Sequence, residues 1–97
     1  MVIVHDIFIC KPGNASKLAK LFKETMSVMS ELDCIMTDMT GQYNRVIMVT
    51  KYESLGAYEK NFEKYMQDTD EMKQMKEKMK GYTDLYLSGS REIYRIM

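Results

Sequence analysis

An α+β fold of element order βαββαβ, with a four-stranded antiparallel sheet and helices on one face, is predicted by two observations. The first is an internal repeat: Ile7, Ile9, Lys11, Leu18, Lys20, Phe22 and Met26 are echoed about 40 residues later by Ile47, Val49, Lys51, Tyr58, Lys60, Phe62 and Met66. The second is that each half reads as an apolar strand, a turn and cap, an amphipathic helix and a following strand, and two such units side by side close one sheet. The 97 residues, 45% of them hydrophobic, fit one domain over residues 1–97 with a modest core.

Val2 to Cys10 is rich in Val, Ile and Phe and stops at Lys11-Pro12-Gly13, a turn signal, which makes it the first strand. Asn14 or Ser16 caps a helix whose apolar positions Leu18, Leu21, Phe22, Met26, Met29 and Leu32 follow three-four spacing. Cys34 to Thr40 and Arg45 to Tyr52 read as strands flanking Gly41-Gln42-Tyr43-Asn44, a hairpin connection. Ser54 is the expected N-cap of the second helix, with Leu55, Tyr58, Phe62, Tyr65 and Met66 as its stripe. Asp68-Thr69-Asp70-Glu71 reads as a break and a fresh cap. Met72, Met75, Met79, Tyr82 and Tyr86 keep helical spacing through Gly81, so the helix is predicted to run to about Leu87 and stop at Gly89. An end at Gly81 is the competing reading. Arg91 to Met97 alternates with a two-residue period and forms the last strand of a ferredoxin-like sheet.

The repeat also predicts faces, because echoed positions of the two central strands should share a side. Ile7, Ile9, Ile47 and Val49 are the aliphatic set and are expected under the helices. Asp6, Phe8, Cys10, Val46, Met48 and Thr50 then occupy the other face. A helix-free face carrying Phe8, Val46 and Met48 is too apolar for water, and the simplest cover is the same face of a second copy, so a homodimer is expected.

Fourteen basic and fourteen acidic residues cancel and are interspersed, which provides no field of one sign for nucleic acid or anionic lipid. No apolar run approaches a membrane span, and His5 and Asp6 interrupt the start where a signal peptide would stay apolar. The expectation is a cytoplasmic protein with no nucleic-acid or membrane partner. Cys10 and Cys34 stand in no metal or redox spacing, on strands that the expected order separates by a third. They are read as free thiols acting as small buried hydrophobes.

The chain resembles the dimeric α+β barrel superfamily, and within it NIPSNAP-like and related small uncharacterised members. The likeness rests on Phe8-Ile9-Cys10-Lys11-Pro12-Gly13, on Lys51-Tyr52-Glu53-Ser54-Leu55 and on Gly89-Ser90-Arg91-Glu92-Ile93-Tyr94. The resemblance implies chemistry or binding in the barrel or in a cleft beside its sheet, in a superfamily that includes cofactor-independent monooxygenases of aromatic polyketides, haem-degrading enzymes, lyases and ligand-binding proteins. Two departures bear on it. Asp6 stands where similar sequences often carry Arg, and the chain has no Trp, which weakens readings that need Trp or a haem-binding His.

His5 is the only histidine, so a His-rich metal site is excluded. It cannot pair with Asp6, since adjacent strand residues point to opposite faces. The face assignment puts His5 near a sheet end on the helix side, echoed by Arg45, as a structural or surface residue. Asp6 is the one weak catalytic candidate, because a carboxylate in an apolar barrel needs a partner or a raised pKa. An ion pair with Arg95 on the last strand is the plainer expectation. Asp38, Tyr43, Tyr52 and Tyr94 are ordinary strand or hairpin residues able to hydrogen-bond a ligand.

Eleven methionines are unusual. Those at helical spacing are expected in the core, leaving Met36 or Met39 and Met48 as barrel residues. The predicted lining is therefore Asp6, Phe8, Val46, Met48, Thr50 and Arg95. The functional expectation is a homodimer that binds a small apolar or aromatic molecule, without a cofactor or metal. The alternatives are a cofactor-independent oxygenase acting on a phenol and a purely structural dimer with a filled barrel.

Overall fold

The computed structural model describes residues 1–41, 43–67 and 69–97. Its elements run β1 (Val2–Cys10), α1 (Ala15–Met26), β2 (Leu32–Thr37), β3 (Arg45–Tyr52), α2 (Leu55–Tyr65), α3 (Asp70–Lys78), a 3-10 turn (Tyr82–Asp84) and β4 (Tyr86–Arg95). The sheet order is β2-β3-β1-β4, antiparallel throughout, which is the ferredoxin-like arrangement. The two copies of the repeat meet at its centre, where Ile7 lies opposite Ile47.

β1 and β3 have the bounds their composition predicts. β2 starts at Leu32 and ends at Thr37 rather than running from Cys34 to Thr40, because Asp38 takes over the ladder there. Its carboxylate Oδ1 accepts from the Arg45 backbone N–H at 3.0 Å, and its own N–H donates to the Arg45 carbonyl at 3.3 Å. The connection continues with positive φ at Gly41, Tyr43 and Asn44. Gln42 of the expected hairpin lies outside the described residues. Ser54 caps α2 by accepting from Ala57 N–H at 3.1 Å. Thr69 caps α3 by accepting from Met72 N–H at 3.3 Å, with Asp70 and Glu71 in the first turn favouring the helix dipole. Asp68 of that expected break lies outside the described residues. Asn14 occupies the N-cap of α1 without a side-chain hydrogen bond.

The last helix ends at Lys78, not near Leu87, and the last strand begins at Tyr86, not Arg91. Gly81 adopts φ +84°, the left-handed conformation that ends helices and that a β-carbon resists. Helical spacing continues past it because Tyr82, on the 3-10 turn, and Tyr86, on β4, still reach one aromatic cluster. Their rings lie 6.5 Å from Phe22 and 5.0 Å from Phe8 respectively. Gly81→Ala should cost about 1–2 kcal/mol in a urea unfolding curve, since the space is open and only the backbone objects.

The faces are the reverse of those expected from aliphatic character. Asp6, Phe8, Cys10, Val46, Met48 and Thr50 lie beneath the helices, and Ile7, Ile9, Ile47 and Val49 lie on the open face with Ile3 and His5. Val46 and Cys10, at 0–2% exposure, form a floor against Leu18, Phe22 and Met79, with Phe8 packed beside them. His5 consequently sits on the helix-free face, where its ring meets Tyr94 edge-on at 5.3 Å. Cys10 is buried on the helix side and Cys34 is exposed, opposite Val49 on the open face, so both thiols are free but only one is a buried hydrophobe. Burial, aided by Asp38, raises the Cys10 thiol above its ordinary pKa.

Packing breaks the symmetry that the sequence repeat suggests. α1 sits down on the sheet through Leu18, Phe22 and Thr25, all buried, whereas α2 buries no residue. Phe62 and Met66, the echoes of Phe22 and Met26, are 45% and 71% exposed. The stand-off of α2 opens a cleft.

Candidate functional site

The cleft encloses about 370 Å³ between the helix-side face of β1, β3 and β4 and the three helices. Six methionines line it: Met26 and Met29 from α1 and its exit, Met48 from β3, and Met72, Met75 and Met79 at i, i+3 and i+7 along or just past α3. Phe8, Phe22, Tyr82, Tyr58 and Phe62 supply aromatic walls. Thioethers and rings give an apolar surface that adapts to shape, within the size range of small-molecule pockets.

Its polar groups are few and specific. Asp6 on β1 lies directly opposite Arg91 on β4, and Arg91 Nε donates to Asp6 Oδ1 at 2.5 Å. That hydrogen bond raises the Arg91 guanidinium further above its ordinary pKa. The guanidinium carbon lies 5.8 Å from the Tyr58 ring centre and 5.7 Å from that of Phe62, so the cation is held against two aromatic faces. Asn61 Nδ2 donates to the Tyr52 hydroxyl at 3.1 Å, tying α2 to β3 across the cleft. Burial raises the Tyr58 and Tyr65 phenols above their ordinary values, which keeps both protonated and able to donate.

Of the six residues predicted to line a site, Asp6, Phe8, Met48 and Thr50 do line this cleft, under the helices rather than between two sheets. Val46 is fully buried beneath it. Arg95 lies opposite Val2 at the sheet end, so the ion pair expected for Asp6 is made by Arg91 instead. The partner shifted because β4 starts five residues earlier than its alternation suggests. Met36 lies opposite Ile47 on the helix-free face, and Met39 is exposed beyond β2. Asp38 closes the β2–β3 connection with Arg45, Tyr43 is exposed in that connection and Tyr94 is on the helix-free face, while Tyr52 lines the cleft.

Arg91, Tyr58, Asn61 and Tyr65 were not singled out by sequence reasoning. The available signal was departure from the repeat: Leu18, Leu21 and Thr25 of α1 become Tyr58, Asn61 and Tyr65 of α2. Larger and more polar side chains replace those that seat α1, and these hold α2 away from the sheet. Among the described residues no group of three or more His, Cys, Asp or Glu is placed to hold a metal ion, and no helix is long and apolar enough to cross a membrane.

No protein-family model and no curated protein matches the sequence. Solved structures match the fold over nearly the whole chain. A NIPSNAP family protein from Agrobacterium tumefaciens str. C58 superposes with a TM-score of 0.80 at 17% identity, covering 99% of this chain and 92% of that one. An uncharacterized NIPSNAP domain protein from Burkholderia xenovorans gives 0.79 at 10% identity, covering 100% and 95%. A candidate antibiotic biosynthesis monooxygenase from Nitrosomonas europaea gives 0.63 at 10% identity, covering 100% and 99%. The chain thus has the ferredoxin-like α+β fold seen in NIPSNAP family and antibiotic biosynthesis monooxygenase-like proteins.

Proposed function

We propose that this protein binds a small, largely apolar or aromatic molecule in the cleft between its sheet and helices. We also propose that it does so as a cytosolic homodimer joined through the helix-free sheet face. The observation that carries the binding reading is the open cleft of about 370 Å³ walled by methionines and rings around a single ion pair. A cleft of this size and lining, under the helices of a single chain, argues against a purely structural role. The dimer is supported by Ile3, Ile7, Ile9 and Ile47, half-buried on a face that no helix covers, in a chain that resembles the dimeric α+β barrel superfamily.

A second reading, oxygenation of a phenol without a cofactor, draws on the Asp6 carboxylate in the cleft and on the likeness to monooxygenase-like proteins. Arg91 donates to Asp6 Oδ1 and balances the charge of the carboxylate, which favours a structural ion pair over a free base. Titration with the neutral probe N-phenyl-1-naphthylamine should give saturable fluorescence enhancement at one site per chain. Asn61→Trp, which fills the cleft from α2, should weaken it by at least about tenfold. Unsaturable binding, or binding unchanged in that variant, would overturn the cleft as the site. Oxygen uptake with a panel of quinols, lost in Asp6→Asn, would establish the second reading.

A further inference from the structure

We infer that the cleft is built for a monoanion, an aryl or alkyl carboxylate whose charge meets Arg91 and whose body lies among the methionines. The inference rests on the binding reading above and names the class of ligand.

Three observations carry it. First, among the described residues and apart from tyrosines, the ionisable side chains lining the cleft are Asp6, Lys76 and Arg91, two cations against one carboxylate. One negative charge on a ligand balances that wall, whereas a neutral ligand leaves a cation uncompensated at an apolar surface. Second, the ion pair is presented unequally. The Arg91 side chain is 47% exposed and that of Asp6 13%, so the carboxylate is tucked toward the sheet and the guanidinium faces the opening. Third, Asp6 engages only Nε, and among the described residues no side chain or carbonyl accepts from the two terminal nitrogens of Arg91. A guanidinium braced by a carboxylate on one edge and by the Tyr58 and Phe62 rings on its face leaves its terminal edge for a second carboxylate.

Arg91, Tyr58 and Phe62 also bound a second, outer hollow of about 290 Å³, together with Glu59 and Glu63 of α2. Those two acids make the outer hollow unfavourable for an anion and leave the inner cleft as its place.

Displacement of the neutral probe by three isosteric ligands tests this: 2-naphthoate, 2-naphthamide and 2-naphthylmethylamine. The carboxylate should bind at least about tenfold tighter than the amide, the gain expected from a hydrogen-bonded charge pair, and the amine weakest. Arg91→Gln should abolish the preference while the amide still displaces the probe. Lys76→Gln, at an exposed residue of the cleft wall, should reduce the preference a few-fold and serves as the decisive variant should Arg91→Gln not fold. Equal binding of carboxylate and amide, or tightest binding of the amine, would overturn the anion inference and leave the binding reading intact. Probe binding that no naphthyl ligand displaces would overturn it too, and absence of probe binding would overturn both.

Discussion

Ile47→Asp is expected to give a folded monomer, and Val46→Asp an unfolded chain, although the two residues are neighbours on β3. Val46 is fully buried and packs in one cluster with Cys10, Leu18, Phe22 and Met79. A carboxylate placed there loses its hydration with no cation to meet it, at a cost of several kcal/mol against the total of about 5–15 that holds a domain together. Ile47 is half-buried on the opposite face, directly across from Ile7. A carboxylate there stays hydrated in a single chain and is stripped of water only when a second copy covers the face, so the charge is paid against association rather than folding. Circular dichroism melts and sedimentation at micromolar protein read the two effects separately. A wild-type monomer, or a dimeric Ile47→Asp, would remove the proposed interface. A Val46→Asp variant that melts like wild type would overturn the assignment of faces.

That pair of residues also marks where the sequence stops being legible. The repeat, the topology and the bounds of β1 and β3 follow from period, turn signals and caps, because these are local. Sidedness is not local. β1 reads Val-Ile-Val-His-Asp-Ile-Phe-Ile-Cys, apolar on both faces, as expected for a central strand covered on both sides, and its alternation therefore does not say which side the helices take. Choosing the more aliphatic set put the isoleucines under the helices. The helices settle where Val46 and Cys10 join Leu18, Phe22 and Met79 in one buried cluster with Phe8 packed against it, and the isoleucines of β1 and β3 are left on the open face.

The site was half legible for a related reason. Asp6 stands out in sequence because a charge in an apolar strand needs a partner, and it has one. The identity of that partner depends on register, and register depends on where β4 begins. Helical spacing from Met72 to Tyr86 arises from two successive structures, a helix and then a 3-10 turn leading into a strand, that happen to face the same aromatic cluster. Only Gly81 records the break. Reading the helix through it moved the strand by five residues and gave Asp6 the wrong arginine.

Phe22→Ala should cost about 3–5 kcal/mol, and the echoed change Phe62→Ala less than about 1 kcal/mol. Phe22 is 2% exposed, with its ring 5.1 Å from Phe8 and 6.5 Å from Tyr82, and removing it leaves a void beneath α1 that neighbouring rings cannot fill without moving. For a chain of this size the loss should lower the melting temperature by more than about 10 °C. Phe62 is 45% exposed, with its ring centre 6.2 Å from that of Tyr58 and 5.7 Å from the Arg91 guanidinium carbon, so its removal creates no enclosed void. Its effect should fall on ligand affinity, because one of the two rings that hold Arg91 in place is gone. Urea unfolding curves of both variants, set beside probe titrations, measure how far the second half of the repeat has given up packing to form a wall. Equal destabilisation by the two changes would mean that α2 seats on the sheet as α1 does, and that the cleft closes in solution.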